Sequence, residues 1–317
     1  MGLFFEDNRT GDGRECEIWA IGGGKGGTGK SFVTSSVGTY LATKGKRIIL
    51  IDADLGGANL HSFLGISRPR NSLTDFFEKK SALNDLIVGT GIGDMGLVTG
   101  DLQSMDSGGI KYAQKQKLFR QIKTLDTDFI LIDLGAGSHF NTVDTFLLAD
   151  RMVVVIVPEI TAIENMYHFI KNVLFRKLGA ALGTIGLKHM VQDTWKARKE
   201  HGIKNIRELV DHLKGASSSI KDVLNKELAT FKIYLVLNQV RSSQDIAIGT
   251  SVRSICMKYF GFQTNYVGYV EYDDCIWSSV NKRKPFMEEY SGSRCAREIE
   301  RVADNLINGK QLRVVRR

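Results

Sequence analysis

The segment Gly24-Lys25-Gly26-Gly27-Thr28-Gly29-Lys30-Ser31 sets ammonium groups and hydroxyls on a backbone rich in glycine. The chemistry this combination suits is the handling of phosphate. Glycines let a chain curl tightly enough to aim several N–H groups at one anion, and a helix starting at the end of the curl adds positive potential. The spacing fits G-x-x-x-x-G-K-[ST]. In that pattern the lysine, here Lys30, reaches the β- and γ-phosphates of a nucleotide, and the hydroxyl, here Ser31, ligates Mg2+. An apolar run over 17–21 leads into the segment and a helical pattern follows it, the order of strand, loop and helix that such a cradle needs.

Carboxylates close two further apolar runs. Asp52 and Asp54 follow Ile48-Ile49-Leu50-Ile51, and the period of a strand puts both on one side of its end. Phe129-Ile130-Leu131-Ile132-Asp133 is a second apolar strand ending in an acid, suited to bind Mg2+ directly or through water. Leu134-Gly135-Ala136-Gly137 after it forms a loop able to sense a terminal phosphate. Together with Lys30 and Ser31, these carboxylates describe a site for phosphoryl transfer to water, a reaction in which positioning and charge stabilisation are most of the catalysis. Capping of the following turn remains an alternative task for Asp52 and Asp54. Base choice follows from what is missing near Leu237-Asn238-Gln239-Val240: Val240-Arg241 stand where an N-K-x-D motif would carry its aspartate. Guanine's N1 and N2 donors need a carboxylate acceptor, so ATP is expected over GTP.

Positioning these groups takes a particular architecture. Strands are predicted over 17–22, 47–52, 96–99, 129–133, 152–157, 233–238 and 266–270, several of them almost wholly apolar, as in Val153-Val154-Val155-Ile156-Val157. Continuous apolar strands are buried on both faces. Helices are predicted over 30–44, 113–125, 162–178, 246–260 and 293–306, with Gly45 as a C-cap. Alternation of the two kinds implies an α/β fold, a mostly parallel central sheet with helices on both faces. Residues 183–231 are polar, charged and helical in pattern, and two or three amphipathic helices inserted on the sheet are expected there.

Lys25 adds a family resemblance. Lys25-Gly26-Gly27-Thr28-Gly29-Lys30-Ser31 resembles K-G-G-x-G-K-[ST], the deviant Walker A loop of the MinD/ParA ATPases, which are P-loop NTPases of the SIMIBI kind. The resemblance covers about 16–178 and 231–308. It implies a nucleotide contact from Gly24, Gly26, Gly27, Thr28, Gly29, Lys30 and Ser31, and from Phe32, where the family usually has a second small hydroxyl residue. It implies that Lys25 crosses a dimer interface to the partner's nucleotide, supplying transition-state charge as an arginine finger does. The D-x-D resemblance of Asp52-Ala53-Asp54 makes Asp54 the residue that orients the attacking water and Asp52 the holder of the Mg2+ hydration shell. Asn238 resembles the adenine-contacting asparagine. Val157-Pro158-Glu159-Ile160-Thr161-Ala162 and Asp133-Leu134-Gly135-Ala136-Gly137 look most like the MinD-like flagellar-number regulators FlhG and FleN. The implied activity is slow, dimer-dependent ATP hydrolysis in a molecular switch. Flagellar placement or cell division would be its setting, with a protein partner; nonspecific DNA binding, as in ParA partitioning, is the competing setting.

Composition narrows the class and leaves the platform open. The 317 residues are 43% hydrophobic and 25% charged, the balance of a folded globular chain. Residues 1–15 lack the apolar run of a secretory signal and read as a flexible segment, so a cytoplasmic location is expected. Residues 309–317 form a basic tail in which apolar and basic side chains mingle, as a peripheral contact with the inner face of a membrane would require, although an untethered tail has the same composition. A formal net charge of +8 favours anionic surfaces, lipid and DNA alike. Cys16, Cys256, Cys275 and Cys295 make no C-x-x-C pair, which argues against a zinc site, a redox dithiol or an iron–sulfur carrier. Glu271, Asp273 and Asp274 read as a solvated acidic turn.

Overall fold

Strands too apolar to face water on either side must be sandwiched between helices, and this requirement organises the molecule. The computed structural model describes residues 16–55, 57–100 and 112–312. In chain order its strands are β1 (Glu17–Gly22), β2 (Ile48–Ala53), β3 (Val88–Gly89), β4 (Met95–Val98), β5 (Phe129–Leu134), β6 (Arg151–Ile156), β7 (Ile233–Val240) and β8 (Thr264–Glu271). They form one sheet in the order β3-β4-β2-β5-β1-β6-β7-β8, parallel throughout except for the antiparallel β3–β4 pair at one edge.

The helices are α1 (Lys30–Thr43), α2 (Leu60–Phe63), α3 (Leu73–Phe77), α4 (Tyr112–Ile122), α5 (Phe140–Phe146), α6 (Ile160–Gly183), α7 (Met190–Lys196), α8 (Ile206–Ala216), α9 (Ser218–Thr230), α10 (Ser243–Phe260), α11 (Asp274–Asn281), α12 (Phe286–Glu289) and α13 (Arg294–Asn308). Side chains leave each strand alternately to two separate cores. Ile49, Ile51, Val154 and Ile156 join the layer that includes α3 to α6 and α10, whereas Ile48, Leu50, Val153 and Val155 join α1, α12 and α13.

Residues 183–231 contribute to this packing. Val191, Leu209, Leu213 and Leu224 are fully buried in the same core as Val154 and Phe169, and Lys177 of α6 bridges Glu227 of α9 at 2.9 Å. The region supplies three helices that complete one face of the sheet.

Among the described residues, the end of the chain is tied down as far as Leu312. Gly309 ends α13 in the left-handed conformation; Gln311 bonds Arg253 and Asn265, and the Leu312 N–H donates to the Tyr266 carbonyl at 2.7 Å on the free edge of β8. The tail is therefore tethered through its first residues, and its remainder, with residues 1–15, lies outside the described part.

Candidate nucleotide site

Sheet order brings the sequence motifs together. β1 lies between β5 and β6, and β5 between β1 and β2, so the carboxyl ends of β1, β2 and β5 adjoin. Asp52 pairs in register with Asp133, and Asp133 with Ile21, one residue before the glycine loop begins.

The loop is built by close contacts that exclude side chains. A Cβ at Gly24 would lie 2.1 Å from the Asn165 carbonyl oxygen of α6. Gly29 has φ 85°, a conformation that strains any residue with a Cβ, and hands the chain directly to α1. Gly26, Gly27, Thr28, Lys30 and Ser31 complete the curl. The Thr28 hydroxyl is buried with no partner.

Lys30 is buried, and its ammonium donates to the Lys25 carbonyl at 3.2 Å. Burial lowers its pKa, while the charges of Asp133 and then Asp54 oppose the shift. Asp133 is wholly buried, and burial, reinforced by the charge of Asp52, raises its carboxyl to about 7. Its Oδ1 accepts from the Thr34 hydroxyl at 3.1 Å and the nearby Ser31 hydroxyl favours its charged form, but Oδ2 has no partner. A buried carboxylate oxygen left free beside a serine hydroxyl fits a divalent cation. Ser31 and Asp133 would hold Mg2+.

Asp52 is occupied differently. Its Oδ2 accepts the Leu60 N–H at 2.9 Å and its Oδ1 the Asp54 N–H at 3.2 Å, so it folds the loop that carries Asp54. Burial raises it to about 6 despite those bonds. Both tasks read from the sequence, turn organiser and contributor to the cation's hydration shell, fall on one group, and the hydrogen bonds describe the first. The Asp54 carboxylate lies against the loop after β5, where a Cβ on Gly135 would come within 2.9 Å of its Oδ1.

Three motif positions have partners of their own within the chain. The Phe32 ring is a core group, packed edge-on against Phe286 at 5.3 Å between centroids, so its side chain is not available to a phosphate and only its backbone N–H could serve as a contact. Asn238 is buried at the end of β7 with Nδ2 donating to the Thr28 carbonyl at 2.8 Å, while Oδ1 has no partner and is the atom left for a base donor. Lys25 sits at the rim, its ammonium on Glu159 Oε2 at 2.5 Å and Thr161 Oγ1 at 3.0 Å. Glu159, Thr161, Thr34 and Gln239 were not legible as site residues. Only Thr34 carried a signal, its place one helical turn beyond Lys30. Among the described residues no three histidine, cysteine, aspartate or glutamate side chains cluster as a metal site; Asp273 caps α11 and Glu271 pairs with Arg294.

The sequence and the fold around this loop match known proteins. Residues 19–286 match the family described as the CobQ/CobB/MinD/ParA nucleotide binding domain. The chain belongs to this family. The antiactivator FleN of Pseudomonas aeruginosa is 23% identical over 294 residues, 92% of this chain and 86% of that protein. The septum site-determining protein MinD of Bacillus subtilis is 30% identical over 151 residues, 47% of this chain and 56% of that protein. MinD of Pyrococcus horikoshii, solved with Mg-ADP, superposes with a TM-score of 0.60 at 20% identity, covering 92% of this chain and 96% of that one. At that identity the structural likeness shows the fold, a MinD/ParA P-loop NTPase.

Proposed function

We propose that this chain is an ATP-driven switch. It binds ATP with Mg2+ in the glycine loop, closes into a homodimer over the nucleotide, and returns to single chains when ATP is slowly hydrolysed. The observation that carries this reading is the convergence of Lys30, Ser31, Asp133 and Asp54 at three adjoining strand ends, with Asp133 Oδ2 left without a partner. A scaffold that only held nucleotide would not need Asp54. Its carboxylate, which lies against Gly135 in the loop after β5, would orient the attacking water. Lys30 leaves the Lys25 carbonyl for the phosphates and offsets the charge that develops there. Lys25 leaves Glu159 and Thr161 to meet the partner's nucleotide. Mg2+, once bound, would polarise the terminal phosphate oxygens.

The setting we propose is spatial regulation in the cytoplasm, such as flagellar number or division-site placement, supported by the extent of the match to FleN. It would act through a protein partner, with a membrane contact from the residues beyond Leu312. One observation favours partitioning on DNA as a second reading: Arg68, Arg70, Lys282, Arg283 and Lys284 are exposed on two loops that touch where Gly65 faces the Arg283 carbonyl. Sedimentation with anionic liposomes and with DNA, each with and without ATP, separates the two settings. DNA binding that falls steeply with salt supports partitioning. The switch itself is tested with Asp54→Ala, which should bind Mg·ATP and persist as a dimer in light scattering. Rapid phosphate release from that variant would reject the water-positioning role.

A further inference from the structure

Asn238 is assigned above, but its neighbour Gln239 has no task in that scheme, and its backbone is unusual. Gln239 has φ 57°, a left-handed conformation uncommon in residues other than glycine, asparagine and aspartate. It sits at a break in the ladder: Leu237 pairs with Tyr269 and Val240 with Glu271, so Asn238 and Gln239 together oppose Val270 alone. This is a β-bulge between two parallel strands whose second residue, Gln239, takes the left-handed conformation that glycine adopts most easily.

The bulge has a geometric effect. In a regular strand consecutive side chains point to opposite faces. Here consecutive amides point the same way, and they meet consecutive carbonyls of the phosphate loop. Asn238 Nδ2 donates to the Thr28 oxygen at 2.8 Å, and Gln239 Nε2 to the Gly27 oxygen at 3.0 Å. A loop that turns its N–H groups inward to an anion must turn carbonyls outward, and those carbonyls need donors. The two amide nitrogens serve them from this side; a carboxylate of the same length could not, having no proton to donate.

We infer that Gln239 is a positioning residue of the nucleotide site, whose left-handed bulge and side-chain amide form, with Asn238, a clamp that holds the phosphate loop shaped for its ligand. Glycine would suit the backbone better, so glutamine at this position is explained by its side chain. The inference rests on the nucleotide reading of the loop and assigns it a rigid outer wall.

The test separates backbone from side chain. Gln239→Gly removes the amide but favours the bulge; Gln239→Glu keeps the length and removes the donor. Mg·ATP affinity is measured by isothermal titration calorimetry, and the thermal midpoint is measured without ligand. The expected result is an affinity about three- to tenfold weaker in both variants, the range that one lost hydrogen bond gives. Meanwhile Gln239→Gly keeps or raises the ligand-free midpoint. Parental affinity in Gln239→Gly overturns the inference, and so does an affinity loss in that variant that only accompanies a lower midpoint. If Gln239→Glu does not fold, the glycine variant decides alone. A parent chain that binds no ATP overturns the nucleotide reading and this inference with it, and that outcome is visible before any substitution is made.

Discussion

Asp133 illustrates how a single residue can work against the stability of the fold that contains it. Its carboxyl, near 3.8 when free, is raised to about 7 by burial and by the neighbouring Asp52. For an acid raised in the folded state, ionisation is penalised there and not in the unfolded chain. The penalty is absent below about pH 4, grows between pH 4 and pH 7, and is complete above pH 7. Asp133→Asn should therefore stabilise the ligand-free chain at pH 8, on the order of 4 kcal/mol, and leave it nearly unchanged at pH 4. Thermal melts at the two pH values check this, and a variant less stable at pH 8 than the parent would contradict it. The same substitution should remove the Mg2+ dependence of ATP binding, because the amide cannot act as a charged ligand. Gly24 gives the opposite kind of case, a residue defined by lack of space. A Cβ there would meet the Asn165 carbonyl at 2.1 Å, so Gly24→Ala should displace the loop from α6 and abolish ATP binding in a titration.

At the scale of elements, the long regular patterns were readable and the short ones were not. The glycine loop, the strands ending at Asp52 and Asp133 and the helix after Lys30 follow from motif and periodicity. Two-residue β3 and the four-residue helices α2 and α12 are too short to show a period and are set by tertiary packing. The site was legible as far as chemistry depends on residue type at fixed spacing. Long-range pairings such as Lys25 with Glu159, or Gln239 with Gly27, exist only once the sheet has set β6 beside β1 and β7 beside β6. The charge cluster beneath the loop after β5 is another such pairing. Asp144 of α5 is fully buried, bonded by Arg176 of α6 at 2.6 Å and by Lys115 of α4, itself buried. Removing one member of a buried group leaves the others uncompensated, typically at a cost of about 3–5 kcal/mol. Asp144→Ala should lower the denaturation midpoint accordingly. It should also weaken hydrolysis, since α6 holds Ser138 of the same loop through Asn172. Denaturant melts and turnover measured on one preparation check both effects.

At the scale of the whole molecule, the decisive question is whether the catalytic set closes within one chain. In the single chain, Lys25 is held at the rim by Glu159 and Thr161, which leaves a half-buried cation at the edge of the glycine loop. If the lysine of one protomer completes the charge around the other's γ-phosphate, specific activity must depend on how much of the protein is dimeric. Turnover per chain should rise with protein concentration until dimers saturate, as mass action requires of an active site shared between subunits. Lys25→Ala should bind ATP, because Lys30, Ser31 and Asp133 are untouched, yet hydrolyse it more slowly by about 10³-fold or more, the scale of an in-trans cation in phosphoryl transfer. Mixing this variant with Asp54→Ala gives the sharper result. Each heterodimer contains one site that has its own Asp54 and receives Lys25 from the partner. Activity should therefore reappear in the mixture although neither variant is active alone. A mixture as silent as its components would mean that Lys25 serves the nucleotide of its own chain, and the two-subunit site would have to be abandoned.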